Sequence, residues 1–378
     1  MNLKKTISIM LALVMVGALL AGCSAPAPSA SESASSAPSE AAQPSTAAEG
    51  DQLADQAKTD MSKADESADE YVPAKKDYYF YVTYKLVHNW YDAIYSGIKA
   101  AVAEYADQGI NIKVDWEAPI EPDAVDQVNR IESAVGKKPD VIVVDFTQNE
   151  TTVPAINAAV EAGIPVMTFA GSDVTPAEGC NRTAFVGNVD NYGDGAALAE
   201  ALCKALDYKG QVAILSGTIG APSHEQRLQA FKDVFAKYPD IEVVDEQRDN
   251  DFVENAVQIT ETFLQKYPDL KGIIANNMSN PIGACTAVKD AGLSGKVLVA
   301  GMDHDLRTLN FLKDGTLLCA QVQNCYDMGY FMVKTAVKIA DGLKPGDDTY
   351  PEVYGVGSTT VYKEDADKYI DLLFPDAE

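Results

Sequence analysis

From about residue 77 onward, short runs of Val, Ile, Leu and aromatic residues alternate with amphipathic stretches whose apolar positions recur every three to four residues. The runs at 78–84, 110–116, 140–146, 164–170, 183–187, 211–217, 241–247, 270–276, 296–302 and 317–323 predict β-strands. The stretches at 90–106, 122–135, 151–162, 191–206, 224–237, 252–266, 281–291, 306–313 and 327–340 predict helices. Several strands are unbroken apolar runs, as expected when both faces of a parallel sheet are covered. Strands and helices alternate, with only 164–170 and 183–187 lacking a predicted helix between them, and this order predicts right-handed crossovers. About ten strands exceed one mononucleotide-binding half, so the pattern predicts an α/β protein of two doubly wound lobes.

The first seventy-odd positions read differently. Lys4 and Lys5 precede an apolar stretch at 7–21 of about fifteen residues, the length of a signal-peptide core and too short to span a bilayer. Leu20-Ala21-Gly22-Cys23 then resembles a bacterial lipobox, in which Cys23 is lipidated and becomes the new N-terminus. Residues 24–76 are Ala, Ser, Pro, Glu, Asp and Gln with almost no large apolar side chains, and predict a tether that cannot offset the entropy of ordering. Exported and anchored, the folded part works a short distance from a membrane.

The formal charge of −26 argues against a nucleic-acid partner or an anionic lipid surface. If Cys23 carries lipid, five cysteines remain, an odd number without CxxC spacing, and they read mostly as buried free thiols. Cys319 and Cys325 are the pair to test for a bridge. The sequence holds no phosphate-binding loop, nucleophile elbow or HExxH motif. Asp303-His304-Asp305 and the Asp190–Gly195 stretch fail as metal sites on spacing, so neither metal nor cofactor is expected.

In doubly wound sheets, ligands bind beyond the strand C-terminal ends. The residues there include Lys85-Leu86-Val87-His88-Asn89-Trp90-Tyr91, Thr147-Gln148-Asn149, Asn277-Met278-Ser279, Asp303-His304-Asp305 and Asn324-Cys325. The set is rich in amides and carboxylates, with aromatics at one point, and suits a neutral ligand carrying many hydroxyls.

The stretches NWYDAIYSGIKAAVAE, PDVIVVDFTQNETTVPAINAAVEAGIPVMTF, HEQRLQAF, YPDLKGIIANN, VLVAGMD and QVQN occur in an order and spacing that resemble a type I periplasmic solute-binding protein of the ribose/galactose class. The resemblance implies two Rossmann-like lobes joined by a three-crossover hinge. It divides the chain into a signal peptide (1–22), a tether (23–76), a first lobe (77–187), a second lobe (188–322), a return to the first (323–352) and a return to the second (353–378). It implies no enzymatic activity. By the same resemblance Trp90 and Tyr91 cover a sugar ring, Arg227 donates forked hydrogen bonds, and Asn277, Asp303 and Gln323 hold hydroxyls. Gln148 and Asn149 lie where the family often has an acidic ligand, and His88 replaces a frequent Asn.

Three departures point away from ribose: Ala170-Gly171-Ser172 stand where the ribose pattern has an arginine, Glu225 replaces a second arginine, and Met278 replaces an acidic residue; the extra methionine and tryptophan suggest a larger or less polar ligand, a hexose, a polyol or a modified sugar. The expected partners are a sugar or polyol and the permease of an ABC importer, with the chain monomeric and lipid-anchored on the outer face of the cytoplasmic membrane or on a periplasmic face. A sensory receptor for a chemoreceptor or kinase, with a sugar or a quorum signal as ligand, is the alternative. A lipid-anchored hydrolase is a remote one.

Overall fold

The computed structural model describes residues 71–374 apart from Ser172, Asp347 and Asp348. The expected signal peptide, Cys23 and most of the tether lie outside the described residues. In chain order the elements are β1 (Asp77–Thr83), α1 (Trp90–Asp107), β2 (Asn111–Glu117), α2 (Ala124–Lys137), β3 (Val141–Val144), α3 (Asn149–Glu161), β4 (Val166–Ala170), β5 (Phe185–Asn188) and α4 (Asn191–Ala205). There follow β6 (Gly210–Ser216), α5 (Pro222–Phe235), β7 (Ile241–Arg248), α6 (Val253–Lys266), β8 (Leu270–Ala275), α7 (Ser279–Asp290), β9 (Leu298–Met302) and α8 (Leu306–Asp314). The chain ends with β10 (Leu317–Gln323), α9 (Cys325–Ala340), β11 (Val353–Val356), β12 (Ser358–Tyr362) and α10 (Ala366–Leu373).

Two six-stranded sheets form, ordered β11-β5-β4-β3-β1-β2 and β12-β10-β9-β8-β6-β7. They repeat one doubly wound topology, parallel throughout except where β12 runs antiparallel to β10. Burial follows position in the sheet. The central strands β3 and β4 are buried at every residue, whereas the edge strand β7 is buried only at Ile241. Helix ends follow local chemistry: Asp123 and Asp190 cap α2 and α4 by accepting backbone N–H groups of the first turn.

The sheets exchange chain three times, between β5 and α4, between β10 and α9, and at Gly357 between β11 and β12. The buried Asp194 links these crossings: its carboxylate accepts from Asn188 Nδ2 (2.6 Å), Gln321 Nε2 (3.1 Å) and Ser358 Oγ.

Some sequence boundaries are corrected. Residues 353–356, expected in the second lobe, pair in parallel with Phe185–Asn188 at the edge of the first sheet, so the third crossing falls four residues later. β11, β12 and α10 had no sequence prediction, because the two strands are edge strands of four and five residues that bury one residue each, too short to show a strand period. Residues 71–76, expected in the tether, belong to the folded part. Tyr71 Oη and Ala74 N donate to Asp341 Oδ2 at 2.8 Å each, and Lys75 pairs with Asp140 at 2.7 Å, so 71–76 dock on the first lobe. All five cysteines outside Cys23 are free and buried; Cys319 and Cys325 sit in different hydrophobic clusters and are not bridged.

Candidate ligand-binding site

The strand C-terminal ends of both lobes meet around one cavity with about 440 Å³ of empty space, part of it open to solvent. The loop after β1 and the start of α1 supply Lys85, Leu86, His88, Trp90 and Tyr91, and the ends of β3 and β4 supply Asp145 and Gly171. The second lobe supplies Ser223, His224 and Arg227 from α5, Asp251 from the loop after β7, Asn277 to Ser279, and Asp303. Gln323 stands at the second crossing.

Three polar chains hold the two walls together. In the first, Arg227 Nη2 donates to Gln323 Oε1 (3.0 Å) and Asn191 Oδ1 (2.6 Å), and Nη1 donates to the Asn276 carbonyl (3.0 Å). A guanidinium only donates, so the Gln323 oxygen faces it and the amide nitrogen faces Asp303 Oδ1 at 2.7 Å. Trp90 Nε1 reaches the same carboxylate oxygen from the first lobe at 2.9 Å. Asp303 has φ +71°, in the left-handed region, a conformation costing on the order of 1 kcal/mol or more for a non-glycine residue. Ala170, at the end of β4 in the first lobe, has the same φ.

In the second chain, Lys85 of the first lobe forms an ion pair with Asp251 of the second at 2.8 Å and donates to His224 Nε2 at 3.2 Å. Thr218 Oγ1 (2.7 Å) and Asn277 Nδ2 also donate to Asp251. Burial works against the Asp251 carboxylate, but Lys85 and the hydrogen-bond donors around it together outweigh burial and hold the group well below the usual range. Burial, reinforced by Lys85, pushes His224 down to about 3, so this imidazole is neutral.

The third chain starts at His88. Its Nδ1 accepts from Trp90 N (3.2 Å), so Nε2 carries the proton and donates to Ser279 Oγ (3.1 Å), which donates to the Asp251 carbonyl (2.8 Å). Burial keeps His88 neutral by lowering its pKa.

The aromatic wall is braced. The Trp90 and Tyr91 rings meet edge to face at 5.0 Å, Tyr91 packs on Tyr84 at 4.4 Å, and Tyr84 stacks on Trp116 at 4.3 Å. Tyr91 Oη donates to Asp145 Oδ2 at 2.5 Å.

Seven of the expected site residues therefore share the cavity: His88, Trp90, Tyr91, Arg227, Asn277, Asp303 and Gln323. Gln148 and Asn149 do not line it. Gln148 Nε2 bridges the lobes at the rim, donating to the Ile219 carbonyl (3.0 Å), and Asn149 turns back on the Glu150 amide (3.0 Å). The carboxylate expected near them is Asp145, at the C-terminal end of the β3 run, where a charge closing an apolar strand was a readable signal. Asp251 had no such signal, because β7 before it is a charged edge strand. Lys85 was visible in its loop, but its partner across the cleft was not.

Behind Asp251 lies Asp249, fully buried, with Oδ1 accepting from Asp251 N (2.9 Å) and Asn277 Nδ2 (3.3 Å). Burial, then the Asp251 charge, push its carboxyl up to about 8. The folded state thus keeps a proton that the unfolded chain releases near pH 4. Stability from this group is fully present below pH 4 and is lost as pH rises toward 8. Asn at 249 has no proton to lose. Thermal melts of Asp249→Asn and the parent should show a difference in Tm that moves in favour of the variant between pH 4.5 and pH 8.

The profile of the periplasmic binding protein domain matches residues 79–344. The chain belongs to this family. Its relatives bind sugars and polyols. The xylitol-binding protein of Mycolicibacterium smegmatis is 28% identical over 241 residues, 63% of this chain and 65% of that protein. The D-ribose/D-allose-binding protein of Pseudomonas aeruginosa is 28% identical over 263 residues, 69% of this chain and 81% of that one. An ABC transporter solute-binding protein of Burkholderia graminis, solved in complex with D-arabinose, superposes with a TM-score of 0.70 at 29% identity, covering 78% of this chain and 98% of that one. In this periplasmic binding protein, as the fold requires, the cavity lies between the lobes and beside the three crossings.

Proposed function

We propose that the chain is the extracytoplasmic receptor of an ABC importer, that it encloses a sugar or polyol between its lobes, and that lipid on Cys23 anchors it to the membrane. One observation carries the ligand class. Arg227, Gln323, Asp303 and the Trp90 indole form a continuous chain of fixed donors and acceptors around a cavity with an aromatic wall. Adjacent hydroxyls both donate and accept, so they match such a chain, and the ring C–H face of a sugar matches the indole. The relatives that bind ribose, allose, arabinose and xylitol support the same class. Closure stabilises the bound state because ligand contacts with both walls exist together only when the lobes meet.

A thermal-shift screen of residues 71–378 against pentoses, hexoses and polyols tests this reading. A stabilising ligand should lose about 30- to 100-fold in affinity in both Trp90→Ala and Asp303→Ala, the equivalent of about 2–3 kcal/mol. A ligand whose affinity survives both substitutions would place its site elsewhere.

A further inference from the structure

We propose that the ligand is a sugar or polyol carrying one protonated amino group, and that this ammonium docks on Asp145. The inference rests on the sugar-or-polyol reading of the cleft and narrows it.

The cavity walls are unbalanced in charge. Three carboxylates, Asp145, Asp251 and Asp303, face two cations, Lys85 and Arg227, while His88 and His224 are neutral. Asp251 is neutralised by its contact with Lys85. Asp303 takes two N–H donors and connects through Gln323 to Arg227. Asp145 is left over. It is 4% exposed, and among the described residues no cation comes within ion-pair distance of it. Its Oδ2 accepts from Tyr91, and its Oδ1 receives only a long contact from Gly171 N at 3.4 Å.

The corner beside Oδ1 is kept open by glycine. A Cβ at position 171 would stand 3.3 Å from Ser223 Oγ and 3.7 Å from Asp145 Oδ1, so any longer side chain would fill the approach. A buried carboxylate without a counter-ion is costly, and a cation at hydrogen-bond distance offsets that cost. The charged and titratable groups facing Asp145 are Tyr91 from α1, Lys85 from the loop after β1, and Asp251 across the cleft. Lys85 acts on it at a distance while committed to Asp251 and His224. A hydroxyl in this corner would donate one hydrogen bond and leave the surplus charge in place. An ammonium removes it.

The test uses the full chain and matched pairs of probes: D-glucosamine against D-glucose, D-galactosamine against D-galactose, and an aminated cyclitol against its parent, by calorimetric titration at pH 7. The amino member of at least one pair should bind tenfold or more tighter than its hydroxyl counterpart. At pH 5 its affinity should fall about tenfold, because Asp145, pushed up to about 6 by burial, then carries its own proton, whereas the neutral member should change little. Asp145→Asn should abolish the preference at both pH values, with a melting curve showing that the variant folds. Equal or tighter binding of the neutral members in the parent protein overturns the inference while leaving the sugar reading intact. A preference that persists in Asp145→Asn, or that does not weaken at pH 5, also overturns it. If neither member of any pair binds, this inference falls, and the sugar-or-polyol reading is decided by the wider screen of pentoses, hexoses and polyols.

Discussion

Gly329→Ala is expected to destabilise the protein by about 3 kcal/mol or more, whereas Gly136→Ala should stabilise it by up to ~1 kcal/mol. The two substitutions add the same methyl group to a helix and lower the backbone entropy of the unfolded chain equally. They differ in what the methyl meets. On α9, a Cβ at Gly329 would lie 1.9 Å from the Ile94 carbonyl oxygen and 3.0 Å from Ile98 N on α1. Across the same contact, a Cβ at Gly97 would lie 2.1 Å from the Tyr326 carbonyl oxygen. Backbone meets backbone in both directions, so no side chain can rotate away and the helices must separate. On α2, Gly136 is exposed and an added Cβ meets nothing within 4 Å. Denaturant unfolding of both variants checks the pair, and a Gly329→Ala protein as stable as the parent would show that α1 and α9 do not pack this closely. The contact has a functional consequence. Trp90 opens α1 and Gln323 sits two residues before α9, so the helix pair sets the spacing between the aromatic wall and the second crossing.

Lys85→Met should cost ligand affinity about a hundredfold or more while changing thermal stability much less. Removing one partner of a buried ion pair strands the other charge, a penalty of about 3–5 kcal/mol. Asp251 would keep Thr218 and Asn277 as donors but lose its only close cation among the described residues. The stranded charge has an exit that a core residue lacks. Lys85 and Asp251 belong to different lobes, so opening the cleft returns Asp251 to water without unfolding either sheet. The cost therefore falls on closure. Small-angle scattering should show the variant more extended than the parent in the presence of ligand, and Lys85→Met combined with Asp251→Asn should recover part of the lost affinity. An unchanged affinity in the single variant would mean that the pair does not hold the closed form.

A periplasmic binding protein of this kind makes its ligand complete a surface that is already organised. Arg227, Gln323 and Asp303 are oriented by one another, and Trp90 is held by Tyr91, Tyr84 and Trp116 behind it. Little side-chain freedom remains to be lost on binding, and less ordering cost means tighter binding for the same contacts.

Strand and helix order was legible because burial on both faces of a parallel sheet leaves an unbroken Val/Ile/Leu run, as in β3 and β4, and crossover helices leave a 3.6-residue period. The chain-reversing end was less so. β11 and β12 sit at sheet edges, are four and five residues long and bury only Val356 and Val361, too few positions to show an alternating or continuous apolar pattern. The same limit explains the third crossing at Gly357. Trp90, Asn277 and Asp303 stand in the polar stretches that follow apolar strands, whereas Gln323, the last residue of β10, and Arg227 were legible only through the family resemblance. Asp145 escaped that reasoning because it lies within the 140–146 strand run, two residues before the loop that begins at Thr147.

By itself, then, the order of apolar runs along the chain determined two wound sheets and the side on which a ligand would sit, because both follow from local periodicity and from the handedness of crossovers. Only the tertiary structure decided which side chains face each other across the cleft. Lys85 and Asp251 are separated by more than half the folded chain, and no local pattern records a pairing made by the closing of two lobes. The same holds for the charge left on Asp145, since a carboxylate's surplus depends on every cation that reaches it, and those reach it through space rather than along the sequence.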